Sequence, residues 1–269
     1  MLLAIDVGNT NTVFALYRGR QSIGQWRLST VRDRTAEEYA VALIQLMQLK
    51  GLAHGEVGAV LISSVVPQAV MPLRWMSRDF FNRRAFVVGE DLDYPIRILL
   101  SDPREIGADR VVNAVAALSR YQPPLIVVDF GTATTFDVVD AEGAYRGGVI
   151  APGINLSIEA LHRAAAKLPR IAIEPPPRVI GQSTVGAMQS GIFWGYVGLI
   201  EGLVRRIEEE YGTSMKVIAT GGLAPLFARR APVLAHIDRD LTMAGLLELY
   251  ERYRPQIDQQ SDLAAGGAR

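Results

Sequence analysis

The chain contains no cysteine, which excludes disulfide stapling, thiol catalysis, iron–sulfur clusters and cysteine-ligated zinc. It holds only three histidines, His54, His162 and His236, far too widely spaced for a metal-binding motif. Neither sign of charge is in excess: 28 basic residues stand against 28 acidic ones. Binding to a phosphate backbone draws on a basic surplus, so no nucleic-acid partner is expected. No run of 18 uncharged apolar residues occurs, so no membrane partner is expected either. The sequence also lacks G-x-x-x-x-G-K-[ST], a G-x-G-x-x-G after a strand, and G-x-S-x-G. Those absences remove the P-loop, the Rossmann phosphate turn and the serine nucleophile elbow. The opening MLLAIDVGNT has no basic n-region and no small-residue cleavage site. It reads as a strand entering a turn, and the expected location is the cytoplasm.

What is present is ample apolar material, 49% of 269 residues with 21% charged, enough for about two domains with buried cores. The most informative feature is an internal echo. Residues 3–17 read LAIDVGNTNTVFALY and residues 126–139 read IVVDFGTATTFDVV. Each is an apolar strand, an Asp, any residue, a Gly, a turn rich in Thr or Asn, and a second strand of alternating apolar residues, which together make a β-hairpin. Asp6 and Asp129 lie 123 positions apart, about one domain length, so a duplicated domain is expected.

Between and after these hairpins strands alternate with helices. Thr35 and Glu38 form a capping box ahead of an amphipathic helix bearing Ala40, Leu43, Ile44 and Met47, stopped by Gly51. GAVLISSVV (58–66) and AFVVG (85–89) read as buried strands. Asp102-Pro103-Arg104-Glu105 is a second capping pattern leading into GADRVVNAVAALSR, whose Val111, Val112, Val115 and Leu118 share a face. The domains are expected at 1–120 and 121–253, divided near Tyr121-Gln122-Pro123-Pro124, with 254–269 a frayed tail. In the second half a strand near 145–150, a helix after Pro152-Gly153 and a loop at Pro175-Pro176-Pro177 precede a helix from Thr184 to Tyr211, which Thr184 would cap. Gly191, Gly195, Gly198 and Gly202 recur on one side of that helix, a pattern that lets another element approach closely. KVIATGG (216–222) is a strand ending in a diglycine turn, and 241–253 is a closing helix.

The turn at Gly8, flanked by Asn9, Thr10, Asn11 and Thr12, aims backbone N–H groups and side-chain donors at one point, which suits phosphate oxygens. An Asp beside such a turn cannot favour an anion directly, so its part is to hold a cation that does. For one hairpin alone an ordinary turn is the simpler reading. Two copies a domain apart, with Gly221-Gly222 after a late strand, favour a nucleotide-binding device. The pattern resembles the fold shared by actin, hexokinases and acetate kinases, in which two ribonuclease-H-like (actin-like ATPase) domains, α/β with mixed sheets flanked by helices, close on ATP.

Within that superfamily the chain resembles the type III pantothenate kinases, bacterial enzymes that phosphorylate pantothenate to 4′-phosphopantothenate in the first step of coenzyme A synthesis. Eight blocks carry the resemblance in order over residues 1–253: DVGNTNTVFAL, DPREIGADRVVNAVAA, VVDFGTATTFDVV, GGVIAPGINLS, AAAKLPRI, STVGAMQSGIFWGYVG, VIATGGLA and DLTMAGLLELYER. The resemblance implies that Asp6, Val7, Gly8, Asn9, Thr10, Asn11, Thr12 and Val13 contact the ATP phosphates, joined by Thr132, and that Asp129 holds a monovalent cation, K+ or NH4+, beside the Mg2+ that ATP brings. It implies that Gly107, Ala108, Asp109 and Arg110 line the pantothenate site, with Asp109 the general base. It further implies a homodimer in which Thr184 reaches pantothenate across the interface.

The chemistry of the residues agrees. Phosphoryl transfer needs positioning and charge neutralisation more than covalent help. Asp109 can orient a hydroxyl and accept its proton, and Arg110 can clamp a carboxylate bidentately. By themselves Asp109 and Arg110 also read as a solvated pair in a helix first turn. One position departs from the family: where members carry a substrate-contacting tyrosine this chain has Leu100, and the nearest upstream tyrosine is Tyr94. The lost hydroxyl is worth about 1 kcal/mol as a neutral hydrogen bond. Two other readings keep the fold: a regulatory protein like the Bvg accessory factors, and a kinase of the superfamily acting on another small hydroxy acid.

Overall fold

The computed structural model describes residues 1–164 and 168–261; the rest of the tail and part of the AAAKLPRI block lie outside the described residues. By contacts the chain divides into two units. The first comprises Met1–Arg97, Asp102–Ser119 and the chain from Leu241 on, and the second comprises Ile98–Ser101 and Arg120–Asp240.

In the first unit, strands β1 (Leu2–Val7), β2 (Asn11–Arg18), β3 (Gln21–Ser29), β4 (Ala59–Ser64) and β5 (Ala85–Val87) form one mixed sheet in the order β3-β2-β1-β4-β5. The period-2 alternation of β1 sends Leu3, Ile5 and Val7 to one face and Leu2 and Ala4 to the other. Helices α1 (Ala36–Gln48) and α2 (Pro67–Phe81) cover the first face, where Tyr39, Leu43, Leu73 and Met76 are fully buried. The expected capping box of α1 is present, with both Thr35 and Glu38 bonded reciprocally. Helix α2 carries Pro67 in its first turn, where no hydrogen bond is lost, and Pro72 inside.

The opposite face is covered by α3 (Ala108–Arg120) and α7 (Leu241–Ser261). Two expectations are corrected here. The closing helix counts with the first unit rather than the second, because Met243, Leu246, Leu247 and Leu249 pack on the face of Leu2, Ala4, Leu61 and Phe86. Residues 254–261 are helical rather than frayed, since Ile257 is buried in that core. A third concerns Asp102, which caps only a single turn, Pro103–Glu105; α3 then starts afresh at Ala108. Gly245 on α7 seats against α3 so closely that a Cβ would stand 2.2 Å from the Val112 carbonyl oxygen. Backbone cannot yield cheaply there, so Gly245→Ala is expected to cost about 1–3 kcal/mol in chemical denaturation despite alanine's better helix propensity. An unchanged midpoint would mean that α7 shifts freely on α3.

The second unit repeats the device. Strands β6 (Leu125–Phe130), β7 (Ala133–Val139), β8 (Tyr145–Pro152), β9 (Lys216–Gly221) and β10 (His236–Ile237) form a sheet in the order β10-β9-β6-β7-β8. Read from the antiparallel edge, both sheets run third, second, first, fourth, fifth, the signature of duplication. One face carries α4 (Ile154–Ala164), α5 (Thr184–Tyr211) and the short α6 (Ala224–Ala228). Phe227 sits at the centre of that core, stacked on Phe130 and Phe193 with ring centroids at 5.4 and 5.5 Å. Residues 98–101, expected in the first domain, instead run beside β8, where the Leu99 N–H donates to the Tyr145 carbonyl at 2.8 Å.

Candidate active site

The sheet register brings the two echoed aspartates to equivalent places. Asp6 lies opposite Val13 on β2 and Ser63 on β4; Asp129 lies opposite Thr135 on β7 and Thr220 on β9. Each is the last but one residue of the first strand of its unit, at the carboxyl end where open α/β sheets bind ligands. The Asp6 carboxylate accepts a hydrogen bond from Ser63 Oγ at 3.0 Å.

The first hairpin turn is closed by Gly8 N–H donating to the Asn11 carbonyl at 3.0 Å. Thr30, just past β3, holds it from the side: its N–H donates to the Thr10 carbonyl at 3.0 Å and its hydroxyl to the Gly8 carbonyl at 2.7 Å. Thr12 is buried with its hydroxyl 3.0 Å from that of Thr30. Of the eight residues from Asp6 to Val13, then, Val7 and Thr12 are spent on packing, and Gly8 N–H on the turn itself. Asn9, Thr10 and Asn11 are the exposed ones. Sequence reasoning missed Thr30 and Ser63, because their roles come from cross-strand neighbours that no local motif records.

The second hairpin is one residue tighter, closed by Gly131 N–H to the Ala133 carbonyl at 3.0 Å. Its tip, Thr132, is exposed. Two glycines box the turn in. A Cβ on Gly153, at the entry to α4, would stand 2.1 Å from the Thr132 carbonyl oxygen, and one on Gly221 2.6 Å from that of Phe130. Gly221 also has φ +89°, which an L side chain rarely adopts. The diglycine turn of the sequence is therefore a matter of close approach.

At the start of α3 the Asp109 carboxylate accepts the Arg110 N–H at 2.8 Å. Gly107 gives it room: a Cβ there would lie 2.6 Å from Asp109 Oδ1 and 3.4 Å from Val65 Cγ1 just past β4, and the carboxylate would have to turn aside. Burial pushes the Asp109 carboxyl above the ordinary aspartate range, against the opposing pull of the Arg110 N–H and guanidinium. A carboxylate so placed is a better proton acceptor than a surface one. Ala108 is buried and Arg110 half-buried.

Thr184 opens α5, but the cap is its neighbour Ser183, whose hydroxyl accepts the Gly186 N–H at 3.1 Å. Thr184 is exposed and its hydroxyl takes no part in capping. The glycine stripe of α5 also faces outward. A Cβ on Gly191, Gly195 or Gly198 would meet nothing within 4 Å, so these glycines serve no contact within the described chain. Leu100 sits against β8, its Cδ2 3.5 Å from where a Cβ of Gly147 would be.

No three His, Asp or Glu side chains converge on one point among the described residues. A divalent ion would therefore lean on phosphate oxygens, as Mg2+ does when one or two carboxylates and water complete its shell. Around Asp129 the neighbours in register are Thr135 and Thr220, and the Thr135 hydroxyl donates to the Asp137 carboxylate at 2.9 Å. No helix among the described residues is long and apolar enough to cross a membrane.

The sequence profile of one family, type III pantothenate kinase, matches residues 2–206. The type III pantothenate kinase of Rhodospirillum rubrum is 60% identical over 256 residues, covering 95% of this chain and 100% of that one. The protein of the same name from Paramagnetospirillum magneticum is 60% identical over 253 residues, covering 94% and 97%. Among solved structures, the activator of 2-hydroxyisocaproyl-CoA dehydratase from Clostridium difficile, with ADPNP bound, superposes with a TM-score of 0.55 over 96% of this chain and 97% of that one. At 12% identity that likeness speaks for the duplicated actin-like ATPase fold alone.

Proposed function

The chain belongs to the type III pantothenate kinase family, and we propose that it carries out the family's reaction with Asp109 as general base. The enzyme phosphorylates pantothenate with ATP, the step that opens coenzyme A biosynthesis. Asp109 orients the attacking hydroxyl and takes its proton as the bond to phosphorus forms, while Arg110 holds the substrate carboxylate. Gly107 and Ala108 shape the wall beside them. In the first unit the turn from Asp6 to Val13 binds the ATP phosphates through Asn9, Thr10 and Asn11, with Asp6 the carboxylate beside that turn that would face Mg2+. In the second unit Thr132 adds a phosphate contact, and Asp129 holds K+ or NH4+. Cations held there would supply charge neutralisation to the phosphates.

The observation that carries this reading is the half-buried carboxyl of Asp109, raised above its ordinary pKa and given room by Gly107. A coupled ADP-release assay over pantothenate and a panel of other small hydroxy acids tests it. Release with pantothenate alone is expected; release with none of them would point to the regulatory reading. The same assay tests Asp129. Replacing Na+ by K+ or NH4+ is expected to raise turnover at least about tenfold, equivalent to ~1.4 kcal/mol of transition-state stabilisation. A flat response across monovalent ions would remove the cation from Asp129.

The active unit we infer is a homodimer built on α5. Its support is the outward glycine stripe together with Val179, Ile180 and Val185, which are 64%, 81% and 42% exposed near the Thr184 end of the same helix. Glycines in a helix cost about 1 kcal/mol each against alanine, and at Gly191, Gly195 and Gly198 no close contact within the described chain compensates.

A further inference from the structure

Behind the Gly8 turn runs a hydroxyl relay that the mechanism above does not use. Thr30 has one hydroxyl proton, and it goes to the Gly8 carbonyl at 2.7 Å. The 3.0 Å contact between the Thr12 and Thr30 hydroxyls is therefore donated by Thr12. Thr12 is fully buried, and with its proton committed to Thr30 its hydroxyl has none to give a phosphate. The relay runs from Thr12 through Thr30 to Gly8. Beside it the Thr30 N–H takes the Thr10 carbonyl at 3.0 Å.

Those two carbonyls decide what the turn presents on its other side. The Gly8–Asn9 and Thr10–Asn11 peptides are trans, and in a planar trans peptide the N–H points opposite to the C=O. With both oxygens drawn onto Thr30, the N–H groups of Asn9 and Asn11 are turned away from it. The Thr10–Asn11 peptide enters β2, where Asn11 is paired in register with Ser29. The Gly8–Asn9 peptide lies outside the strands, and Gly8, with no Cβ, lets it rotate at little steric cost. A half-turn of that peptide would put a carbonyl oxygen where the Asn9 N–H stands, and an oxygen repels the phosphate that an N–H attracts. Among the described residues the group bonded to the Gly8 carbonyl is the Thr30 hydroxyl.

We propose that Thr30 is a positioning residue for phosphoryl transfer, its hydroxyl locking the Gly8–Asn9 peptide with the Asn9 N–H toward the ATP phosphates. The proposal rests on this turn receiving ATP. Thr30 acts through the peptide and touches neither substrate itself, so its removal should weaken phosphate contacts and leave the rest of the nucleotide and the acceptor site alone.

Thr30→Val, which keeps the side chain's shape and removes its hydroxyl, tests it. The KM for ATP and the dissociation constant of ADP are expected to rise about fivefold to tenfold, the worth of one neutral hydrogen bond. The KM for pantothenate and the inhibition constant of adenosine, which has no phosphate, are expected to stay at parental values. Thr30→Ser keeps the hydroxyl and is expected to hold both phosphate-dependent constants within about twofold of the parent. Should the valine variant not fold, Thr30→Ala is the substitute, with the same split expected. Unchanged ATP and ADP constants in a folded variant would overturn the proposal. So would a penalty shared equally by adenosine and pantothenate, or one as large in Thr30→Ser. A parent without ATP-dependent turnover on any acceptor would remove the functional reading and the proposal with it. An active parent matched by Thr30→Val overturns the lock alone.

Discussion

Asp109→Asn is expected to lose turnover by about two to four orders of magnitude while remaining at least as stable as the parent at neutral pH. The two halves of that result have one cause. Burial raises the Asp109 carboxyl above its unfolded pKa. A group shifted in that direction stabilises the fold below its unfolded pKa, and that stabilisation is lost as pH rises through the folded pKa. At neutral pH the ionised carboxylate is therefore a net burden on the first unit. An amide keeps the oxygen that accepts the Arg110 N–H, sheds the buried charge, and cannot accept the substrate proton. In the parent, the acid limb of the pH–rate profile should titrate above the ordinary aspartate range. Stability by denaturant titration and turnover by ADP release check the two halves separately. Near-parental turnover would remove Asp109 from the mechanism, and activity lost together with stability would make it a structural residue.

The second large effect is a gain. Asp109→Asn and Thr184→Ala, each of low activity alone, should on mixing recover roughly a quarter of parental turnover once subunits exchange. The arithmetic follows from a site that draws Asp109 from one protomer and Thr184 from its partner. Half of a random mixture is hybrid, and each hybrid holds one intact site of two. The exposed, unbonded Thr184 at the head of α5 is what makes such sharing available. Gly195→Leu gives the complementary arm: a Cβ there meets nothing within 4 Å in the described chain, so each protomer should stay folded while dimer and activity fall together. Failure of the mixture to recover, with exchange demonstrated, would confine Thr184 to its own chain.

Much of this was legible in the sequence because it depends on short-range rules. The paired hairpins, the capping box at Thr35 and Glu38, and the span of α5 follow from spacing and turn chemistry that a few neighbouring residues contain. The family resemblance nominated Asp109, and Gly107 beside it turns out to be needed for room rather than for a turn. What stayed hidden depends on residues distant in sequence. Thr30 steadies the Gly8 turn from the end of another strand, and Gly153 is needed only because α4 starts against the Thr132 turn. The start of α3 was misread because Asp102 does cap a turn, though not that helix's. The closing helix was misassigned because its apolar spacing says that it packs, and not on which unit.

The assignment of α7 to the first unit has a consequence for how the protein is made. A ribosome releases the chain in order, so the second unit is complete when Asp240 emerges, while the first still lacks its last helix. Until then the sheet face bearing Leu2, Ala4, Leu61 and Phe86 lacks the cover of Met243, Leu246, Leu247 and Leu249. The nascent protein thus passes through a stage with its middle finished and its beginning sticky, the condition in which chaperones are engaged and chains aggregate. A stop codon at position 241 would freeze that stage permanently, however intact the Asp6 and Asp109 segments were.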